Sequence, residues 1–217
     1  MSKFAVIGAT GYVGRAVVEE LARRGHQVTA FARSVEKVTK ADNVQAVAAD
    51  VNSKDFSQQL SGFDAVVSAF NPGWSNPNIA ADFKKGASAI VEAAKQAQVP
   101  YLLVVGGAGS LYIAPGVQLV DTPEFPKDIY EGANAARHLL NDLRDRRDVN
   151  WAFISPPALL GETGEERTGK YRLGGEEVLM SGDEPAGISV ADMAIAIADD
   201  VEQKAHLFKR FTVASVE

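Results

Sequence analysis

Phe4-Ala5-Val6-Ile7-Gly8-Ala9-Thr10-Gly11-Tyr12-Val13-Gly14 is the stretch whose reading decides the fold. An apolar run of strand type leads straight into G-x-x-G-x-x-G, and an amphipathic helix pattern (Val13, Ala16, Val17, Leu21) begins at once. Each glycine has a physical reason to be there. Gly8 permits the tight strand-to-helix turn, Gly11 lets backbone approach a bound pyrophosphate, and Gly14 lets the helix pack against the strand. First-turn N–H groups and the positive end of the helix then face the phosphates. Glycines also mark ordinary turns, but here a strand pattern precedes them and a helix pattern follows, the context the motif requires. Gly8, Thr10, Gly11, Tyr12, Val13 and Gly14 are therefore expected to hold a dinucleotide.

Outward from that motif, Gly25 stops the helix and 27–32 reads as a second strand. A cofactor with a free ribose calls for an acidic residue just beyond it. Positions 30 to 33 offer none. Arg33 instead supplies a planar, permanently charged group suited to a 2′-phosphate, with Ser34 and Lys37 in reach, so NADP(H) is expected over NAD(H). A third strand, 44–49, ends in Asp50-Val51: the carboxylate suits an adenine amino group, or it caps a short helix suggested over 53–60. The fourth strand, 64–70, is nearly all apolar, as a strand buried on both faces is. It runs through Ala69 and Phe70 into Asn71-Pro72-Gly73-Trp74, where Trp74 either stacks on a flat ligand or anchors its loop.

A long helix, 78–97, presents Phe83, Ala87, Ile90, Val91 and Ala94 on one face and stops before Pro100. The fifth strand, 101–105, feeds Gly106-Gly107-Ala108-Gly109-Ser110, a run that marks close approach of backbone to a ring. Residues 111 to 127, starting at Leu111 and rich in proline, read as a lid or substrate loop. Helix 128–146 and a sixth strand, 150–155, follow, with Pro156 at the strand's end. From 161 to 187 the rhythm changes to a substrate-side appendage in which 170–173 and 177–180 are expected to pair. Ser189 to Asp192 has capping-box spacing ahead of a last helix, and 208–216 alternates as a final strand.

Strands alternating with helices imply an α/β fold with a doubly wound parallel sheet, in one domain over 1–217. Ligands then bind outside the carboxyl ends of the strands, where all the flagged segments lie. The charge of −6 leaves no basic excess for a nucleic-acid partner or an anionic membrane. The absence of cysteine removes disulfides and Cys-ligated metals, and His26, His138 and His206 lack metal-site spacing. No metal is expected. Glu165-Glu166 and Asp199-Asp200 read as solvated faces. The chain opens on a core strand with no leader pattern, so residence in the cytoplasm, as a monomer or homodimer, is the expectation.

With those residues assembled, the chain resembles the atypical NAD(P)H-binding branch of the short-chain dehydrogenase/reductase superfamily. Within it the chain is similar to the group labelled NADH-flavin reductases, which are related to the NmrA-like sensors and are also filed as epimerases. The resemblance runs the whole length, through Gly8 to Gly14, Asp50-Val51, Ser68 to Trp74, Gly106 to Ser110, Ser155-Pro156, Thr168 to Arg172 and Ile188 to Asp192. It implies that Ala69, Phe70, Asn71, Gly106, Gly107 and Pro156 contact the cofactor, and that Trp74, Gly109, Ser110 and Leu111 contact a planar acceptor such as a flavin or quinone. Typical members carry Tyr-x-x-x-Lys, in which lysine lowers the tyrosine pKa for proton transfer. Here Tyr130 stands at that spacing but Asn134 replaces the lysine. Ser110 and Tyr130 are thus weak catalytic candidates, and Asn134 is left to bond a ribose. Hydride transfer to a flavin does not need that pair; a sensor without catalysis and a nucleotide-sugar epimerase or dehydratase are the alternatives.

Overall fold

A computed structural model of the chain describes residues 1–216. Eight strands form one sheet: β1 (Lys3–Ile7), β2 (Gln27–Ala32), β3 (Val44–Ala48), β4 (Ala65–Ser68), β5 (Leu102–Val105), β6 (Trp151–Ser155), β7 (Arg172–Gly174) and β8 (Arg210–Ala214). Their spatial order is β7-β8-β6-β5-β4-β1-β2-β3, parallel throughout except that β7 runs antiparallel to β8. The doubly wound sheet expected from the sequence is present. Five helices accompany it: α1 (Tyr12–Arg23), α2 (Phe56–Gln59), α3 (Ile79–Gln96), α4 (Tyr130–Arg144) and α5 (Val190–Gln203).

Strand periodicity divides the core into two layers. Phe4, Val6, Leu103, Ala152 and Ile154 point toward α1 and α5, while Ala5, Ile7, Leu102, Val104, Trp151 and Phe153 point toward α3 and α4. Alternate residues of one strand thus serve opposite layers, which is why the central strands read as unbroken apolar runs. Each large side chain fully buried this way contributes roughly 1.5–3 kcal/mol. Among the described residues, no helix is long and apolar enough to cross a membrane.

Strand order reverses between β1 and β4. Ile7 pairs with Phe31 on one side and with Ser68 on the other. Past that point Ala9 N–H donates to the Phe31 carbonyl and Ala69 N–H to the Ile7 carbonyl. Gly8 sits in the gap with φ of +75°, and a Cβ on it would lie 2.4 Å from the Ala69 carbonyl oxygen. Only glycine meets both constraints.

The appendage departs from the expected pattern. Residues 170–173 and 177–180 do not pair with each other. Arg172–Gly174 joins the main sheet as edge strand β7, and Met180–Ser181 makes a small ladder with Glu184–Pro185. The edge position leaves β8 covered on both sides, a gain that a detached hairpin does not offer. The final strand is shorter than the alternation over 208–216 implied. The lid segment also contains a small hairpin, Tyr112–Ala114 with Val117–Gln118, that its prolines gave no sign of.

Polar clasps hold the appendage to α1 and α5. Ser189 caps α5 by accepting from Asp192 N–H, and its hydroxyl donates to the Glu166 carbonyl. Asp192 does not close a reciprocal capping box; its carboxylate accepts from Thr168 Oγ1 and Gly169 N–H. Glu20 of α1, its side chain only 4% exposed, takes Arg167 through both oxygens at 2.9 Å and Arg24 at 2.9 Å. Asp199 and Asp200 are not the solvated pair the sequence suggested. Asp199 accepts from Tyr171 and Arg24, while buried Asp200 accepts from Tyr101 at 2.6 Å and pairs with His206. In a helix with apolar residues on most of its faces, these carboxylates turn inward only because partners wait there.

Candidate functional site

At the carboxyl ends of β1 to β6 the chain leaves a cleft of about 1130 Å³. That exceeds the roughly 300–1,000 Å³ usual for one small ligand. Its floor at the switch point is the Gly8–Gly14 turn. Gly8, Thr10, Gly11, Tyr12 and Val13 line it. Gly14 does not; a Cβ there would lie 2.0 Å from the Gly8 carbonyl oxygen, so it seats α1 on β1. No side chain caps the N-terminus of α1 and its first turn carries no acidic residue. The helix therefore presents bare N–H groups and a positive dipole end to the cleft, with room beside Gly11 for an anion. These residues fit a dinucleotide's pyrophosphate.

Around that floor the structure brings Arg33, Asp50, Val51, Ala69, Phe70, Asn71, Gly106, Gly107 and Pro156 to the same cleft. Arg33 is exposed at the end of β2 and makes no hydrogen bond or ion pair among the described residues. Ser34 and Lys37 stand outside the lining, Ser34 just before and Lys37 at the end of the single helical turn Val35–Lys37. Asp50 does not cap α2, whose N-cap is Asp55; its Oδ1 accepts from Asn52 N–H at 2.9 Å, which fixes the carboxylate at the rim. Asn71 likewise accepts from Gly73 N–H at 2.7 Å and shapes the loop that carries Trp74.

Trp74 lines the far end with 55% of its surface exposed. One edge rests on Gly132 of α4, where a Cβ would lie 2.6 Å from the indole. The same lining includes Leu119, Phe125 and Ile129, from the lid segment and the approach to α4, together with Gly109. Phe125, Ile129 and Gly132 were not read as site residues in the sequence. Phe125 is bracketed by Pro123 and Pro126, the one local sign that this residue is held in place.

Beyond Gly14, Ser34 and Lys37, four further expected site residues are placed elsewhere. Ser110 is 2% exposed and outside the lining; its hydroxyl accepts from Arg210 at 2.9 Å. Leu111 is buried beside it. Tyr130 begins α4 but does not reach the cleft lining. Asn134 is occupied, its amide oxygen accepting from Arg137 at 2.7 and 3.0 Å, and Arg137 also binds Gln118 and Asp121 of the lid. In place of a ribose contact, Asn134 thus helps an arginine anchor the lid to α4. Residues 157–162, with Leu160 and Glu162 in the lining, form the opposite wall, and Gly161 closes over the Tyr12 hydroxyl.

A wound parallel sheet with a glycine turn and an uncapped helix at its switch point defines a Rossmann-type nucleotide-binding protein. The sequence profile described as NAD(P)H-binding matches residues 8–201, and the chain belongs to that family. It is 38% identical over 217 residues to an uncharacterized Bacillus subtilis protein, YwnB, covering 98% of each. A Streptococcus pneumoniae structure named as a "putative NADH-flavin reductase" is 36% identical, with a TM-score of 0.87 over 100% of both chains. A Bacteroides thetaiotaomicron structure named as a "putative epimerase" is 38% identical, with a TM-score of 0.90 over 100% of this chain and 98% of that one.

Proposed function

We propose that the protein is an NADPH-dependent reductase that passes hydride to a flat acceptor, a flavin foremost and a quinone next. The observation that carries this reading is the far end of the cleft. Trp74, Phe125, Leu119 and Ile129 bring apolar and aromatic side chains to the same lining as Gly106–Gly109, and neither Tyr130 nor Asn134 is part of it. When bound, a reduced nicotinamide supplies the hydride. The chain's own residues supply orientation. The Gly8–Val13 turn holds the diphosphate, Arg33 takes the 2′-phosphate and favours NADPH over NADH, and Asp50 with Val51 bounds the adenine. Gly107, with no neighbour closer than 3.8 Å to the place a Cβ would take, admits the ring, while the bare Cα atoms of Gly106 and Gly109 make room for Phe153 and for Val120 and Ala133. Trp74 stacks the acceptor while excluding water. Protonation of the reduced acceptor comes from solvent. A nucleotide-sugar epimerase is less well served, because α4 carries Asn134 where the tyrosine–lysine pair needs its lysine, and neither Tyr130 nor Asn134 lines the cleft.

Rapid mixing of the NADPH-loaded protein with FMN or riboflavin tests this, with nicotinamide absorbance as the signal. Decay at least about ten-fold faster than free NADPH gives with the same flavin is expected. Tight NADPH binding with no acceleration by any flavin or quinone would leave a nucleotide sensor, not a reductase.

A further inference from the structure

Arg210 opens β8 with its side chain 0% exposed, and nothing in the proposed reaction uses it. Its guanidinium is a junction. Nη1 donates to Ser110 Oγ at 2.9 Å and Ser155 Oγ at 3.1 Å. Nη2 donates to the Ser110 carbonyl at 3.2 Å and to Glu176, at its carbonyl (3.3 Å) and Oε2 (2.5 Å). Glu176 is gripped in turn by Arg144 of α4 through both carboxylate oxygens, at 3.2 and 2.8 Å. Among the described residues Arg210 Nε finds no partner.

The placement of the two serines matters most. Ser110 directly follows Gly109, Ser155 directly precedes Pro156, and both Gly109 and Pro156 line the cleft. One rigid, planar cation therefore stands one residue behind each of the turns that end β5 and β6. Burying an ion pair is a poor way to gain stability, since apolar residues of similar volume serve as well or better. A buried fork with one N–H left unsatisfied instead marks a place where geometry is being held.

We propose that Arg210 is a positioning residue for hydride transfer: by holding Ser110 and Ser155 on one guanidinium it sets the separation of the two walls, Gly106–Gly109 and Pro156, between which the nicotinamide lies. This rests on the reductase reading for the identity of the reaction, while the geometry stands without it. Glu176 and Arg144 complete the device by fixing the guanidinium's plane to α4 and the appendage.

Two variants test it. Arg210→Lys keeps the charge and loses the fork. The double variant Ser110→Ala with Ser155→Ala removes both hydroxyls and keeps the Arg210–Glu176 pair. NADPH affinity is read by titration, and the emission of bound NADPH without acceptor. Flavin turnover and the primary isotope effect from 4-deuterated NADPH complete the set. Because the diphosphate cradle is at β1, NADPH affinity stays within about three-fold in both variants. Turnover falls about ten-fold or more in Arg210→Lys and about three-fold or more in the double variant, the isotope effect rises, and the emission of bound NADPH changes.

A lower melting temperature with turnover, isotope effect and emission all unchanged would reduce Arg210 to a structural anchor and overturn the proposal. If Arg210→Lys does not fold, the serine variant decides. If the unmodified protein reduces no flavin, the reductase reading fails, and the acceptor-free emission still decides whether Arg210 positions the ring.

Discussion

Gly132→Ala separates the acceptor slot from the stability of the fold. The new methyl would lie 2.6 Å from Trp74 Cζ3 and 2.9 Å from Ile79 Cδ1, where ordinary contact begins at 3.4 Å. The indole must therefore withdraw by about 1 Å to recover a carbon–carbon separation near the dispersion minimum. It can, because more than half of it is exposed. Turning the end of Ile79 costs about 0.5–1.5 kcal/mol, and alanine regains about 1 kcal/mol over glycine inside a helix. These nearly cancel. The melting temperature should move by less than about 4 °C, at 2–4 °C per kcal/mol for a chain of this size. Misplacement of a slot wall by about 1 Å is expected to cost ten- to a hundred-fold in kcat/KM for the acceptor. Calorimetry reads the first quantity and steady-state flavin reduction the second. Indole emission reports whether the ring has moved, because the chain's other tryptophan, Trp151, is buried. A Trp74→Phe protein supplies the baseline for that emission. Shifted emission with kcat/KM unchanged within two-fold would refute the assignment of Trp74 to the acceptor slot.

Arg33→Ala should weaken NADPH by about ten-fold or more, the lower end of what charge-assisted bonds of about 1.5–3 kcal/mol imply for an exposed arginine, and leave NADH within two-fold; equal losses in titration would remove the 2′-phosphate assignment. Gly14→Ala drives a methyl to 2.0 Å from a backbone carbonyl that cannot yield without moving the phosphate turn. It should cost about 1–3 kcal/mol in a denaturant titration and at least ten-fold in affinity for either nucleotide, and unchanged nucleotide binding would contradict the role given to the turn. Glu20→Gln removes the charge that Arg24 and Arg167 share, for about 2–3 kcal/mol and a melting temperature lower by about 4–12 °C near neutral pH. Burial raises the Glu20 pKa, but the hydrogen bonds from Arg167 and Arg24 outweigh it and hold the group below its ordinary value. Its contribution is therefore complete above the usual glutamate range and is lost as pH falls through the depressed value. The gap between the two proteins should close in acid, and a gap that widened there would reverse the sign of this argument.

What was legible in the sequence was local. The turn at Gly8, the uncapped start of α1, Arg33 after β2 and the glycines after β5 each announce themselves within a few residues, because strand-end chemistry in a parallel sheet is written where the strand stops. Their convergence on one cleft also follows from topology, since parallel strands bring all their carboxyl ends to one side. The residues that the fold placed away from the cleft share another cause. Tyr130, Asn134 and Ser110 were expected there by resemblance to a family pattern, and a pattern does not say which partner arrives from elsewhere. Asn134 is taken by Arg137 and Ser110 by Arg210, which is 100 positions away. Residues 170 to 180 misled for the same reason: short apolar runs pair with whatever edge is open, and β8 offered one.

The residues that make the long-range polar contacts holding the appendage to the helices are the least visible in the sequence. Glu20 and Arg167 lie 147 positions apart, and Arg24 and Asp199 lie 175 apart. Each reads in isolation as an ordinary charged surface residue, and only the fold turns it inward. Charged side chains are rarely buried unless paired, so a buried one marks a long-range contact that loop closure had to satisfy. In this chain such contacts lie behind the turns after β5 and β6 and under the appendage, not in the Gly8–Gly14 turn proposed for the diphosphate. That floor is set by backbone. The walls, set by Arg210, Glu176, Arg137 and Gly132, are where this chain can differ from relatives that share its fold, and acceptor choice should follow substitutions at those positions more closely than substitutions in the glycine turn.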